Sequence, residues 1–158
     1  MIIVGLTVIG VAYYLYWPKD DTDSSEVLVN DLPVLSAVKT DGSKISLREV
    51  SGKVVLIFFN PDCDHCQREA TQISEQKQIF RNYSVYFISI DSVQNISKFA
   101  HDYNLIESNF YFSQANGLDV YQSVGPLPQV PAIFIYDNKR LIKRLEGEVK
   151  LEEIMKYL

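Results

Sequence analysis

The chain has two cysteines, and both sit in one Cys-x-x-Cys, Cys63-Asp64-His65-Cys66. A thiolate is the nucleophile of disulfide exchange, and two thiols at this spacing can close on each other and reopen. The chemistry implied is a relay, in which one thiolate attacks a substrate disulfide and the second resolves the mixed disulfide. Because both cysteines lie in one motif, there is no structural disulfide framework, and the fold must stand on its core. Metal binding is a second chemistry open to the same pair. A structural zinc site closes with four ligands, yet beyond these sulfurs the Cys and His residues comprise only His65 and His101. Cu(I) suits soft thiolates, so a copper-binding, metallochaperone-like module using the pair with a distant His101 stands as an alternative. A pair without redox function is the bland reading of the motif.

Whichever chemistry applies, neighbouring elements must position the sulfurs. The motif follows Val54-Val-Leu-Ile-Phe-Phe59, a continuous apolar run that reads as a strand buried on both faces of a sheet. From Asp64 to about Arg81 there is no Pro or Gly, and Cys66, Ala70, Ile73 and Phe80 recur at helical spacing. The motif therefore opens an amphipathic helix, whose first N–H groups and dipole favour a thiolate. Cys63 falls at the mouth and is expected to be the exposed, attacking sulfur. Cys66 begins the apolar stripe and is expected to be shielded.

The remaining elements follow from the same patterns. Leu32–Leu47 reads as a hairpin with Asp41-Gly42 at its tip;. Val85–Ile90 is a second buried strand, and Val93, Ile96, Ala100 and Tyr103 mark a second helix. Phe110–Phe112 reads as a short strand, followed by a weak helical turn near Leu118–Val124. Ala132–Tyr136 and Leu141–Leu145 form a hairpin about Asp137-Asn138, and Leu151–Leu158 closes with a helix. This order gives an α/β fold, a mixed central sheet sandwiched by helices.

Residues 1–18 are read as a transmembrane signal anchor, 19–31 as a polar tether, and 32–158 as a single domain. Ile2–Trp17 carries no charge and ends in Tyr13, Tyr14, Tyr16 and Trp17, residues that favour the membrane–water interface. As a helix it would span roughly 24 Å. Small residues suited to signal-peptide cleavage do not follow it, so an uncleaved anchor is expected. The acidic flank and the redox motif suit a domain facing the periplasm or cell exterior. A formal net charge of −5 with scattered Lys and Arg argues against a nucleic-acid partner;.

From about Leu32 to the C-terminus the chain resembles the thioredoxin-like family, in particular membrane-anchored TlpA/ResA-type thiol–disulfide oxidoreductases within the redoxin superfamily. The resemblance rests on the Asp41-Gly42 hairpin, Gly52-Lys53 before the strand, the Cys63/Cys66 motif, and Val130-Pro131 before Ala132-Ile-Phe-Ile. It implies a thioredoxin fold with an N-terminal β-hairpin extension and a cis Val130–Pro131 bond facing the pair, with the preceding backbone pairing with substrate. It implies no cofactor. Its expected partners are proteins with reactive thiols or disulfides and a redox partner that recycles the pair.

Departures from the family pattern carry their own expectations. Asp62 stands where most thioredoxin-like proteins have Trp, and Ile57 occupies the place of the buried Asp of thioredoxin. Glu69 matches an acidic residue that TlpA/ResA-like proteins place near the pair, so it is a candidate proton acceptor for Cys66. A solvated helix-face Glu is the other reading. His65, between the sulfurs, could stabilise a Cys63 thiolate as in DsbA-like motifs, opposed by Asp62 and Asp64. A thiol peroxidase on the same fold is a further alternative. Its pattern resembles Pro-x-x-x-Thr/Ser-x-x-Cys, whereas Asn60 stands three residues before Cys63 here, and the hydroxyl is absent.

Overall fold

Strand alternation explains how one sheet is buried on both sides. The computed structural model describes residues 31–126 and 129–158. Among these residues, seven strands form one sheet in the order β2-β1-β5-β4-β3-β6-β7. They are β1 (Ser36–Lys39), β2 (Lys44–Ser46), β3 (Lys53–Phe58), β4 (Ser84–Ser89), β5 (Phe110–Ala115), β6 (Ala132–Asp137) and β7 (Arg140–Glu146). β3, β4 and β5 are parallel, and the other pairings are antiparallel. Successive side chains point to opposite faces. In β3, Val55 and Ile57 enter one core with Phe59, while Val54, Leu56 and Phe58 enter the other.

Among the described residues, four helices cover these faces: α1 (Asp64–Glu75), α2 (Val93–Asp102), α3 (Gly117–Val124) and α4 (Leu151–Met155). Cys66, Ala70 and Ile73 of α1, Ile96 and Phe99 of α2, and Leu151 and Ile154 of α4 pack on the first face. Val120 and Val124 of α3 join Leu32, Leu35 and Leu47 on the second. The expected mixed sheet between helices is therefore present. The expected anchor at 1–18 lies outside the described residues, as does all but the last residue of the tether. Among the described residues, no helix is long and apolar enough to cross a membrane.

Several boundaries differ from the sequence reading. α1 stops at Glu75, not near Arg81, because Gln76 leaves helical geometry (φ −131°, ψ 37°) and a 3-10 turn covers Lys77–Phe80. That turn drives Phe80 fully inside, where its ring meets Phe110 edge-on at 6.1 Å. Ile90 was expected to end a buried strand, yet it is 64% exposed beyond β4. The β6–β7 turn is centred on Asn138 and Lys139, one residue later than expected. Both have positive φ (48° and 72°), the geometry that matches the twist of a two-residue hairpin. The last helix ends at Met155.

Candidate functional site

The site begins where β3 ends. Phe59 anchors the strand's exit in an aromatic cluster, with ring centroids 4.7 Å from Phe99 and 6.0 Å from both Phe87 and Phe112. Such pairs contribute about 0.5–1.5 kcal/mol each beyond area burial, so the floor beneath the loop is closely packed. The loop is tied by its own side chains. Asn60 Oδ1 accepts from the Asp62 N–H at 2.8 Å, the Asn60 carbonyl accepts from the Cys63 N–H at 3.1 Å, and Gln67 Nε2 donates to the Pro61 carbonyl at 2.9 Å.

Cys63 caps α1, its sulfur accepting from the Cys66 N–H at 3.4 Å. The same sulfur lies 3.6 Å from the Val130 carbonyl, to which its thiol donates. It thus sits between a donor suited to the thiolate and an acceptor suited to the thiol. Both cysteines are free; Cys63 is partly exposed, and Cys66 is 3% exposed. Burial pushes the Cys66 thiol well above its ordinary range, and the neighbouring Cys63 and Glu69 push it the same way. The Val130–Pro131 peptide bond is cis, as the resemblance implies.

Glu69 lies one turn along α1 and is 2% exposed, with neither carboxyl oxygen hydrogen-bonded among the described residues. The solvated reading of this residue is therefore wrong. Glu69, Cys66 and Pro131 share a small cavity of about 10 Å³ with Ile57 and Phe59, space for roughly one water at most. Burial, reinforced by the charge of Glu148, pushes the Glu69 carboxyl up to about 8. It is thus largely protonated at neutral pH and lines the same cavity as Cys66. Ile57 lines the same space from the strand, so the acid comes here from the helix.

His65 turns outward. Its Nδ1 lies 2.8 Å from Glu148 Oε2 and 2.8 Å from Arg68 Nη2. One ring nitrogen cannot donate to a carboxylate and accept from a guanidinium at once. We assign the Nδ1 proton to Glu148, because Arg68 already donates to that carboxylate through Nε at 3.0 Å and Nη2 at 2.7 Å. Arg68 first, then His65, holds the Glu148 carboxyl down to about 2.

Residues 29–145 match the model of the AhpC/TSA family. The chain belongs to the AhpC/TSA family. Membership makes it a thiol-based oxidoreductase of the redoxin class. No curated protein matches the sequence closely. Solved structures with the same fold include DsbF of MTB, captured in mixed oxidized and reduced forms, at 21% identity and TM-score 0.67 over 78% of this chain and 92% of that one. A secreted Mycobacterium tuberculosis disulfide oxidoreductase homologous to E. coli DsbE gives 19%, 0.67, 78% and 93%. The peroxidoxin BcpB from Mycobacterium tuberculosis gives 18%, 0.65, 82% and 96%. At these identities the likeness shows the fold.

Within this AhpC/TSA domain the structure brings Cys63, Cys66, Glu69, Val130 and Pro131 to one place, with His65 on its outer rim. Among the described residues, no group of three Cys, His, Asp or Glu side chains is arranged to hold a metal ion, so copper binding would rest on the two sulfurs. Sequence reasoning missed Arg68 and Glu148, because Glu148 lies 83 residues from His65 and 80 from Arg68. It read Asn60 only as a missing hydroxyl and overlooked its turn-forming role, for which an Asn two residues before Asp62 was a usable signal;.

Proposed function

We propose that this AhpC/TSA protein exchanges the Cys63–Cys66 disulfide or dithiol with thiols of other proteins. The observation that carries the reading is the burial asymmetry of the pair: a partly exposed sulfur at the helix cap, backed by a sealed one. In the reducing direction, the Cys63 thiolate attacks a client disulfide and expels one client thiolate. The Cys66 proton passes to an ionised Glu69, and Cys66 then attacks Cys63 and expels the client's second thiolate. The client gains two electrons, the pair becomes a disulfide, and a dithiol partner must reduce it again. The Val130 backbone offers the client chain a pairing surface beside Cys63. A groove of about 330 Å³ continues from Val130 past Asn60 to Ile88, Val120 and Tyr121, and takes the apolar residues flanking the client cysteine.

A Cys66→Ser variant is expected to trap client proteins through Cys63. Trapping by Cys63→Ser instead would reverse the roles, and trapping by neither would end the reading. The location is also a proposal, supported by the uncharged Ile2–Trp17 run with its aromatic end: a membrane anchor placing the domain in the periplasm or cell exterior. A thiol reagent unable to cross the membrane should then label Cys63 in intact cells.

Peroxide reduction is a second reading, favoured by the family match and by the likeness to a peroxidoxin. It requires Cys63 to take an oxygen atom from peroxide and Cys66 to release it as water while the disulfide closes. Asn60 in place of a hydroxyl residue speaks against it. Dithiol-dependent hydrogen peroxide consumption faster than disulfide exchange would favour it.

A further inference from the structure

The loop after β7 touches both halves of the redox centre. Gly147 is buried with φ +73°, and a Cβ there would stand 3.3 Å from the side-chain oxygen of Gln129, the residue before Val130. The next residue, Glu148, reaches across to the first turns of α1 and holds His65 and Arg68. Just beyond, the Leu151 N–H donates to Gln72 Oε1 at 3.2 Å, which ties α4 to the same helix. The hydrogen-bond partners of Cys63 Sγ among the described residues are the Cys66 N–H and the Val130 carbonyl. His65 is next to the motif's first spacer residue, yet its ring nitrogen is engaged elsewhere.

We propose that Glu148 is a positioning residue of the redox centre, which grips His65 away from the Cys63 sulfur and thereby sets the potential of the pair. This rests on the pair being redox-active, as read above. A cationic or donating imidazole beside a thiolate favours the dithiol state and makes the disulfide more oxidising. With its Nδ1 committed to Glu148, His65 lends little to Cys63, and the pair is held toward the reducing end. The other charged groups nearby are Asp62 and Asp64 on the loop side, Arg68 on the outer face and Glu69 on the buried face. Of these, Arg68 lies 2.8 Å from the Nδ1 of His65, but its donors go to Glu148.

The test equilibrates the full chain with glutathione buffers and counts reduced pair by thiol alkylation and mass. Glu148→Ala is expected to shift the equilibrium constant toward the dithiol threefold or more, about 14 mV at 29.6 mV per decade. In a His65→Ala background the same change should move the constant far less, by the field of the carboxylate on Glu69 alone. A Glu148→Ala constant equal to the parent's overturns the inference, and so does a shift of equal size without His65, since that would be the field of the carboxylate alone. If Glu148→Ala fails to fold, Glu148→Gln with and without His65 is read in the same way. A parent chain that never forms the disulfide sinks the proposed function itself; an unchanged variant on an active parent sinks only this inference.

Discussion

The inner and outer faces of one short stretch of α1 treat acids in opposite ways. On the inner face, Cys66 and Glu69 are buried with no partner for the carboxyl oxygens among the described residues. On the outer face, three residues of the same turns apart, His65 and Arg68 surround the carboxylate of Glu148 with donors. Burial carries Glu69 up to about 8, while hydrogen bonds from Arg68 and His65 carry Glu148 down to about 2. The residue type is the same, so environment alone separates a proton store from a fixed charge. The two are also coupled, because the Glu148 charge helps keep Glu69 protonated.

Removing the inner acid should have the largest effect. Glu69→Gln keeps the shape and removes the ionisation. In the parent, the folded-state value of about 8 lies above the ordinary 4.5, so the unfolded chain releases its proton first as pH rises. Stability is therefore fully present below about pH 4.5 and lost as pH climbs to about 8, by at most about 5 kcal/mol. Chemical denaturation of the dithiol form between pH 4.5 and 8 should show that decline, and in Glu69→Gln the decline should be gone. Resolution of a mixed disulfide should also slow about 100-fold in the variant, the usual scale of a lost general base. It should lose the rise with pH that the parent shows through about 8. If parent and variant share one pH profile, Glu69 is not the proton acceptor.

A second substitution on the inner face probes packing rather than charge. Ile73 is 1% exposed and lines the cavity shared by Cys66 and Glu69. Ile73→Ala should cost about 2–4 kcal/mol by denaturant unfolding, the cost of lost burial plus an enlarged void. It should also admit water to Glu69 and lower its proton affinity. A cost below about 1 kcal/mol would mean that the inner face collapses freely, and the contrast with the outer face would soften.

These inner features were largely legible before the structure, and the outer ones were not. Val54–Phe59 is apolar at every position, which only a strand covered on both faces requires. Cys66, Ala70 and Ile73 mark the buried stripe, with Glu69 bordering it. The stripe could not reveal that Glu69 lies inside without a partner among the described residues, because that depends on Pro131 and Ile57 closing over it. The end of α1 at Glu75 carries no Gly or Pro signal; the chain leaves helical geometry at Gln76, and the 3-10 turn that follows buries Phe80 against Phe110. Glu148 was invisible for a related reason. Its meeting with His65 and Arg68 depends on the length and register of β7, where Ala132 pairs with Glu146 and a bulge falls between Ile135 and Tyr136. Local patterns do not encode such contacts.

The smallest effect should come from the outer cluster, and its sign with pH separates it from the inner acid. Arg68 and Glu148 remain 52% and 25% exposed, and ion pairs in such surroundings contribute little and are screened by salt. Arg68→Ala should lower the melting temperature by at most about 2 °C at low ionic strength, and by less in 1 M salt. The folded value of Glu148 lies below its ordinary one, so its contribution is present above about pH 4.5 and lost as pH falls toward about 2;. The difference between parent and Arg68→Ala should therefore persist at pH 6 and fade in acid, opposite in direction to the Glu69 effect. A difference that grows in acid, or survives high salt undiminished, would mean that Arg68 stabilises the helix through its packing and not through the carboxylate it holds.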